Sequence, residues 1–222
     1  MSDTRGADKN RVPVRATEDS TTLYSRGGRG FAVIGWLFCL GVPVTLIADH
    51  HYLGMLRYGG IVLLAALLVW ILFWAPYVTI APSGVTVRNL IRIHEVSWPA
   101  IQLIDTKYAL NLTTSAGKIV AWAAPAPGRL GTLRTAPAEL RDLPESSYGP
   151  GHSIRPGDIP RSDSGHAALW VRRYWEQLRN AGYLDSATIE GRGVVTHWLT
   201  REILGIVGLA VVAAAGILFV RY

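Results

Sequence analysis

Three long stretches of this chain carry no charge, and they limit its possible folds more than any other feature. Phe31 to Ala48 is uncharged for 18 residues, Tyr58 to Ile80 for 23, and Ile203 to Val220 for 18. A run of about 18 apolar residues is long enough to cross a bilayer as a helix. In the second stretch, residues 61–73 contain ten Leu, Ile, Val or Phe. At roughly −0.3 to −0.6 kcal/mol each, they favour insertion by about 3–6 kcal/mol. Spans are expected near 31–49, 58–75 and 203–220. Pro43 is expected to bend the first, which neighbouring helices can compensate. Trp70, Trp74 and Tyr77 suit an interfacial aromatic belt, and Pro76 ends the second helix. The third stretch is rich in Gly and Ala, which permits close helix packing.

From Tyr77 to Trp122 the pattern changes from long runs to short alternating ones. Tyr77–Ala81, Val85–Asn89, Ile91–Val96, Ile101–Tyr108, Ala109–Thr113 and Lys118–Trp122 read as six strands. Pro82-Ser83-Gly84 and Ser115-Ala116-Gly117 separate them as turns, and Pro99 breaks the run because it has no N–H to give. Short strands with tight turns form a meander that curls into a barrel or packs as two sheets.

Within this region "SGVTVRNLIRIHEVSWPAIQLID" and the later "LNLTTSAGKIVAW" resemble the bacterial PH-like domain of small actinobacterial membrane proteins. Gly84, Val85, Val87, Arg88 and Asn89 match its first strand motif. Val96, Trp98 and Ile101 match its corner, with Ser97 where proline is common and Pro99 displaced. The resemblance implies an α+β fold: a small PH-like β-barrel or sandwich capped by a C-terminal helix, here joined to three transmembrane helices.

Residues 125–165 hold seven prolines and six glycines. They read as a long insert with a short helix at 136–143, of which residues 126–160 are expected to be mobile and largely dispensable for folding. A helix follows from about Ser164, with Asp163 and Ser164 as candidate N-caps. Ala168, Val171, Trp175 and Leu178 form its apolar stripe, and Gly182 suits its left-handed end. The stripe and Trp98 are expected to be structural. Arg172, Arg173 and Arg179 form either an anionic-lipid patch or a solvated face paired to Glu176, the second being favoured.

The resulting map is a disordered polar tail (1–30), two spans (31–75), a PH-like domain (76–183) with an insert at about 125–163, and a connector with the third span (184–222). Thr188–Gly193 belongs to the connector, and Val194–Leu199 reads as an interfacial lead-in. Arg11, Arg15, Arg26 and Arg29 precede the first span. Arg88, Arg92, Arg192 and Arg201 flank the domain, and only Arg57 and Arg221 lie on the other side. By the positive-inside rule the N-terminus and the domain are cytoplasmic, in a multi-pass protein of the cell membrane.

The net charge of +6 therefore suits topology, since no nucleic-acid motif accompanies it. The single cysteine, Cys39, excludes a disulfide within one chain. His50 and His51 diverge on any regular backbone, with no further ligand at metal spacing. Gly27, Gly28 and Gly30 precede a span and no Walker lysine follows. His94 and Glu95 face opposite ways on a strand. No catalytic residue, cofactor, metal or small-molecule substrate is expected.

The resemblance raises lipid binding, for which PH domains place basic residues around the first hairpin turn. Here that turn is uncharged, and Arg88 and Arg92 lie beyond it. The candidate interaction surface is Arg88, Arg92, Arg172 and Arg173, facing a protein partner from the lipid bilayer. The expected function is a non-catalytic interaction module. The alternative is a structural or regulatory subunit of a larger transport or envelope complex.

Overall fold

A computed structural model describes residues 20–128, 144–148, 155–184 and 193–219. Among these, eight strands form two antiparallel sheets, and three helices are long and apolar enough to cross a membrane. The first sheet contains β1 (Thr21–Leu23), β2 (Tyr77–Ala81), β3 (Gly84–Arg88), β4 (Arg92–Val96) and β8 (Val194–Trp198), in the order β1-β2-β3-β4-β8. The second contains β5 (Ile101–Asp105), β6 (Ala109–Thr114) and β7 (Gly117–Pro125), in that order. The sheets pack face to face and do not close, so of the two expected forms the sandwich is the one observed.

All six strands read from the alternation are present. Alternation sends Val78, Ile80, Val85, Val87 and Val96 inward from the first sheet, and Leu110, Leu112, Ile119 and Ala121 from the second. Gly84 is required where β3 leaves its turn: its φ is 153°, and a Cβ would lie 2.2 Å from the Val96 carbonyl oxygen. Trp98 lies in a short 3₁₀ turn, Trp98–Ala100, at the corner between the sheets. Its indole N–H donates to the Ala81 and Pro82 carbonyls at 3.0 and 3.1 Å. Its ring stacks on Tyr174 at 4.7 Å.

Tyr174 belongs to α3 (Asp163–Asn180). Ala168 and Val171 are buried against both sheets, with Trp175 and Leu178 half-buried beside them, as the stripe required. The N-cap is Ser162, not Asp163 or Ser164; its Oγ accepts from the Gly165 N–H at 3.0 Å. Gly182, at φ 75°, ends the helix as expected. The Tyr183 N–H bonds the Leu178 carbonyl and the Gly182 N–H that of Arg179, both at 3.0 Å. This is the Schellman pattern.

The apolar helices are α1 (Arg26–Ala48), α2 (Tyr52–Val69) and α4 (Thr200–Phe219). The helix of α2 continues as a π-type turn, Trp70–Trp74. α2 lies between the other two. The Trp36 indole of α1 donates to the Ala66 carbonyl at 3.2 Å and packs on Trp74 at 5.2 Å. Toward α4 the approach is backbone to backbone. A Cβ on Gly60 would lie 2.7 Å from the Ala213 nitrogen, so only glycine fits.

Two parts of the expected map differ. Residues 20–30 are not a tail: Thr21–Leu23 pairs with β2, and α1 begins at Arg26 behind the Ser25 cap. The strand has three residues, too few to show a period, and β2 holds it. Likewise, Val194–Trp198 is a full edge strand against β4, not an interfacial lead-in. Of the insert, Glu145–Ser147 and Pro156–Asp158 are 3₁₀ turns that pack against α3. The short helix at 136–143, residues 1–19 and most of the 188–193 connector lie outside the described residues.

Trp98→Ala removes a buried ring and two hydrogen bonds at the corner. It should cost about 3–5 kcal/mol, measured by unfolding of the detergent-solubilised chain. A variant as stable as the parent would show that the corner does not hold the sheets together.

Candidate interaction surface at the helix–sheet junction

Antiparallel register places one end of every strand in the first sheet beside the apolar helices. Leu23 pairs with Val78, Tyr77 with Arg88, Arg88 with Ile93, and Arg92 with Trp198. From this row of residues β1 runs into α1 through Tyr24 and Ser25. β2 emerges from α2 through Ala75 and Pro76, and β8 enters α4 through Leu199. The β3–β4 turn, Asn89–Ile91, therefore lies at the helix end of the sheet. The β2–β3 turn lies at the opposite end.

Arginines and aromatic rings collect at this junction. The Arg88 guanidinium donates to Glu202 Oε1 at 2.7 Å and lies 5.5 Å from the Trp70 ring centre and 5.9 Å from that of Tyr77. Glu202 occupies the first turn of α4, where the helix dipole favours a negative charge. Arg92 lies over the Trp198 ring at 3.8 Å, and Arg29 over Tyr24 at 3.9 Å and Trp74 at 5.1 Å. Each such contact contributes about 0.5–1 kcal/mol when exposed and fixes where the charge sits.

Asn89 joins the second sheet to this end. Its side-chain N–H donates to the Val120 carbonyl and its Oδ1 accepts the Trp122 N–H, both at 2.9 Å. The amide thus supplies the edge of β7 with the pairing that a neighbouring peptide would give. Trp122 then donates to the Leu72 carbonyl at 2.6 Å, close to the end of α2 where carbonyls lack helical partners.

Of the expected surface, Arg88 and Arg92 are brought together here. Arg173 is exposed on α3, apart from them. Arg172 is not a surface residue: its side chain is 3% exposed and bonds Asp158 at 2.6 Å, Ser147 at 3.0 Å and the Ile104 carbonyl at 3.3 Å. Asp158 also accepts from Thr106 Oγ1 at 2.6 Å. This buried cluster binds the second sheet and the described parts of the insert to α3. Removing one partner of such a pair costs about 3–5 kcal/mol. Glu176 does not pair with the neighbouring arginines. It accepts from the Ser146 N–H and Oγ at 3.1 and 2.6 Å.

Sequence reasoning missed Arg29, Tyr24, Asn89 and Glu202 as parts of the junction. Among the described residues no group of three or more His, Cys, Asp or Glu is placed to hold a metal.

Two antiparallel sheets, a corner tryptophan and a C-terminal helix define a PH-like sandwich, here mounted on apolar helices. Residues 75–147 match the family model described as bacterial PH domain. No curated protein and no solved structure matches the chain.

His94 on β4 gives a pH test of this end of the sheet. Its Nδ1 lies 2.9 Å from Thr196 Oγ1 on β8. Burial lowers its pKa below 6.5, and the neighbouring Arg92 charge lowers it further. The unfolded chain then binds the proton more readily than the folded one. Stability from the neutral ring is present above about pH 6.5 and is lost as pH falls through the lowered folded value. His94→Gln should remove this component, so melting temperature should fall less on acidification in the variant than in the parent. Parallel losses in both would rule out His94 as the source.

Proposed function

We propose that the chain is a membrane-anchored PH module on the cytoplasmic side, which recognises a protein partner and not a phosphoinositide, and performs no catalysis. The observation that carries this is the position of the β2–β3 turn. It lies at the end of the sheet away from the apolar helices, so with those helices in a bilayer it points away from the headgroups. It is Ala81-Pro82-Ser83-Gly84, without a basic side chain for charge-assisted bonds to a phosphorylated headgroup. The helix-distal surfaces are thus presented to the aqueous phase.

The side of the membrane rests on the arginine distribution. Arg26, Arg29, Arg88, Arg92 and Arg201 all flank the junction end, whereas Arg57 lies toward the other end of α2. A reporter active only in the cytoplasm should be active when inserted after residue 150 and inactive at Tyr222. The reverse pattern would overturn the orientation.

The partner is tested by purifying the full chain in mild detergent and identifying what accompanies it by mass spectrometry. A soluble partner retained in sub-stoichiometric amounts is the expected result. A stoichiometric membrane partner would instead support a structural or regulatory subunit of a larger complex.

A further inference from the structure

A cavity of about 280 Å³ opens between β1, the start of α1, β7 and the start of α3. Arg26, Arg29, Arg161 and His166 line it, with Asp163 as its one carboxylate. Asp163 is engaged already: it accepts from Ser25 Oγ at 2.7 Å and from the Arg26 backbone N–H at 3.4 Å. The guanidinium of Arg29 is held from one side by the Tyr24 ring, so its planar edge stays free for in-plane donation.

The height of the cavity along the helices matters as much as its charge. α1 is uncharged from Phe31 onward, so Arg26 and Arg29 stand immediately outside the apolar stretch. Trp74 and Tyr24 beside Arg29 are suited to that same boundary layer. An arginine pair at this level faces the phosphates of the leaflet, and planar guanidinium forks match phosphate oxygens. The space is below the usual range of about 300–1,000 Å³ for drug-sized ligands, which suits one phosphate with a small substituent.

We propose that this cavity is a phosphate site that takes the headgroup of an anionic phospholipid from the adjacent leaflet. It is separate from the β2–β3 turn and from the protein-recognition role. Its phosphate chemistry is independent of that role, whereas its lipid source rests on the membrane reading.

The test uses the full chain in mild detergent, with bound molecules counted by native mass spectrometry. The probes are phosphatidylglycerol, phosphatidylcholine and free glycerol phosphate. Phosphatidylglycerol should bind saturably and in preference to phosphatidylcholine. Arg26→Gln and Arg29→Gln should each weaken it by roughly tenfold, the factor for one charge-assisted hydrogen bond. Arg173→Gln, on the exposed face of α3, should leave it unchanged. Arg26 is exposed, so its variant retains the fold even where loss of the Arg29 ring contacts loosens the Arg29 variant. Binding of glycerol phosphate without phosphatidylglycerol would keep the phosphate site and overturn its lipid source. Equal binding of both lipids, or binding indifferent to Arg26→Gln, would overturn the site.

Discussion

The structure depends on the continuity between apolar helices and the first sheet. Three strands of that sheet join three helices at one end, through at most two residues each. A linker this short holds both the distance and the direction of what it joins. The helices in turn are locked to one another by backbone contact at Gly60 and by Trp36 against α2. The sheet is therefore mounted at three points, two of them at its edges. A single flexible tether would leave the domain free to turn toward the bilayer; three short ones at one end do not.

This mounting explains why polar side chains gather where the elements meet. The end of α2 leaves carbonyls without helical partners, and the Trp122 indole donates to that of Leu72. β7 has an open edge, and the Asn89 amide closes part of it. Arg88 bridges β3 to the first turn of α4 through Glu202. None of these contacts is large. Together they join the two sheets and the helices, so movement of one element disturbs the hydrogen bonding of the others.

Much of the sandwich was legible because alternation with period two fixes which face each strand buries. The stripe on α3 and its Gly182 end were legible for the corresponding helical reason. Strands β1 and β8 were not. Thr21-Thr22-Leu23 is too short to show a period, and Val194 to Trp198 precedes an apolar helix whose hydropathy masks it. Both are strands because β2 and β4 offer edges, and such pairing is not local in sequence. Arg172 was misplaced because its helical angle lies just beside the buried stripe. Its burial depends on Asp158 and Ser147 arriving from the insert, and composition assigned that segment to loop. Arg88 and Arg92 were legible as charges, but the rings that hold them come from three separate parts of the chain.

The mounting also bears on affinity. A domain held at the bilayer surface meets membrane-associated partners in a thin layer, which raises the effective concentration of each for the other. Fixed orientation adds to this, because less rotational freedom is lost on docking. For the proposed protein recognition, weak contacts on the helix-distal face would then suffice, without a deep pocket or strongly charged groove there. The arginines serve a different purpose. Held over rings at the junction, they sit at the sheet-side ends of the apolar helices, where in the proposed reading attraction to anionic headgroups would set the height and tilt of the domain more than the choice of partner. In the proposed reading, anchoring and recognition lie at opposite ends of one small sheet, and the uncharged β2–β3 turn belongs to the recognition end.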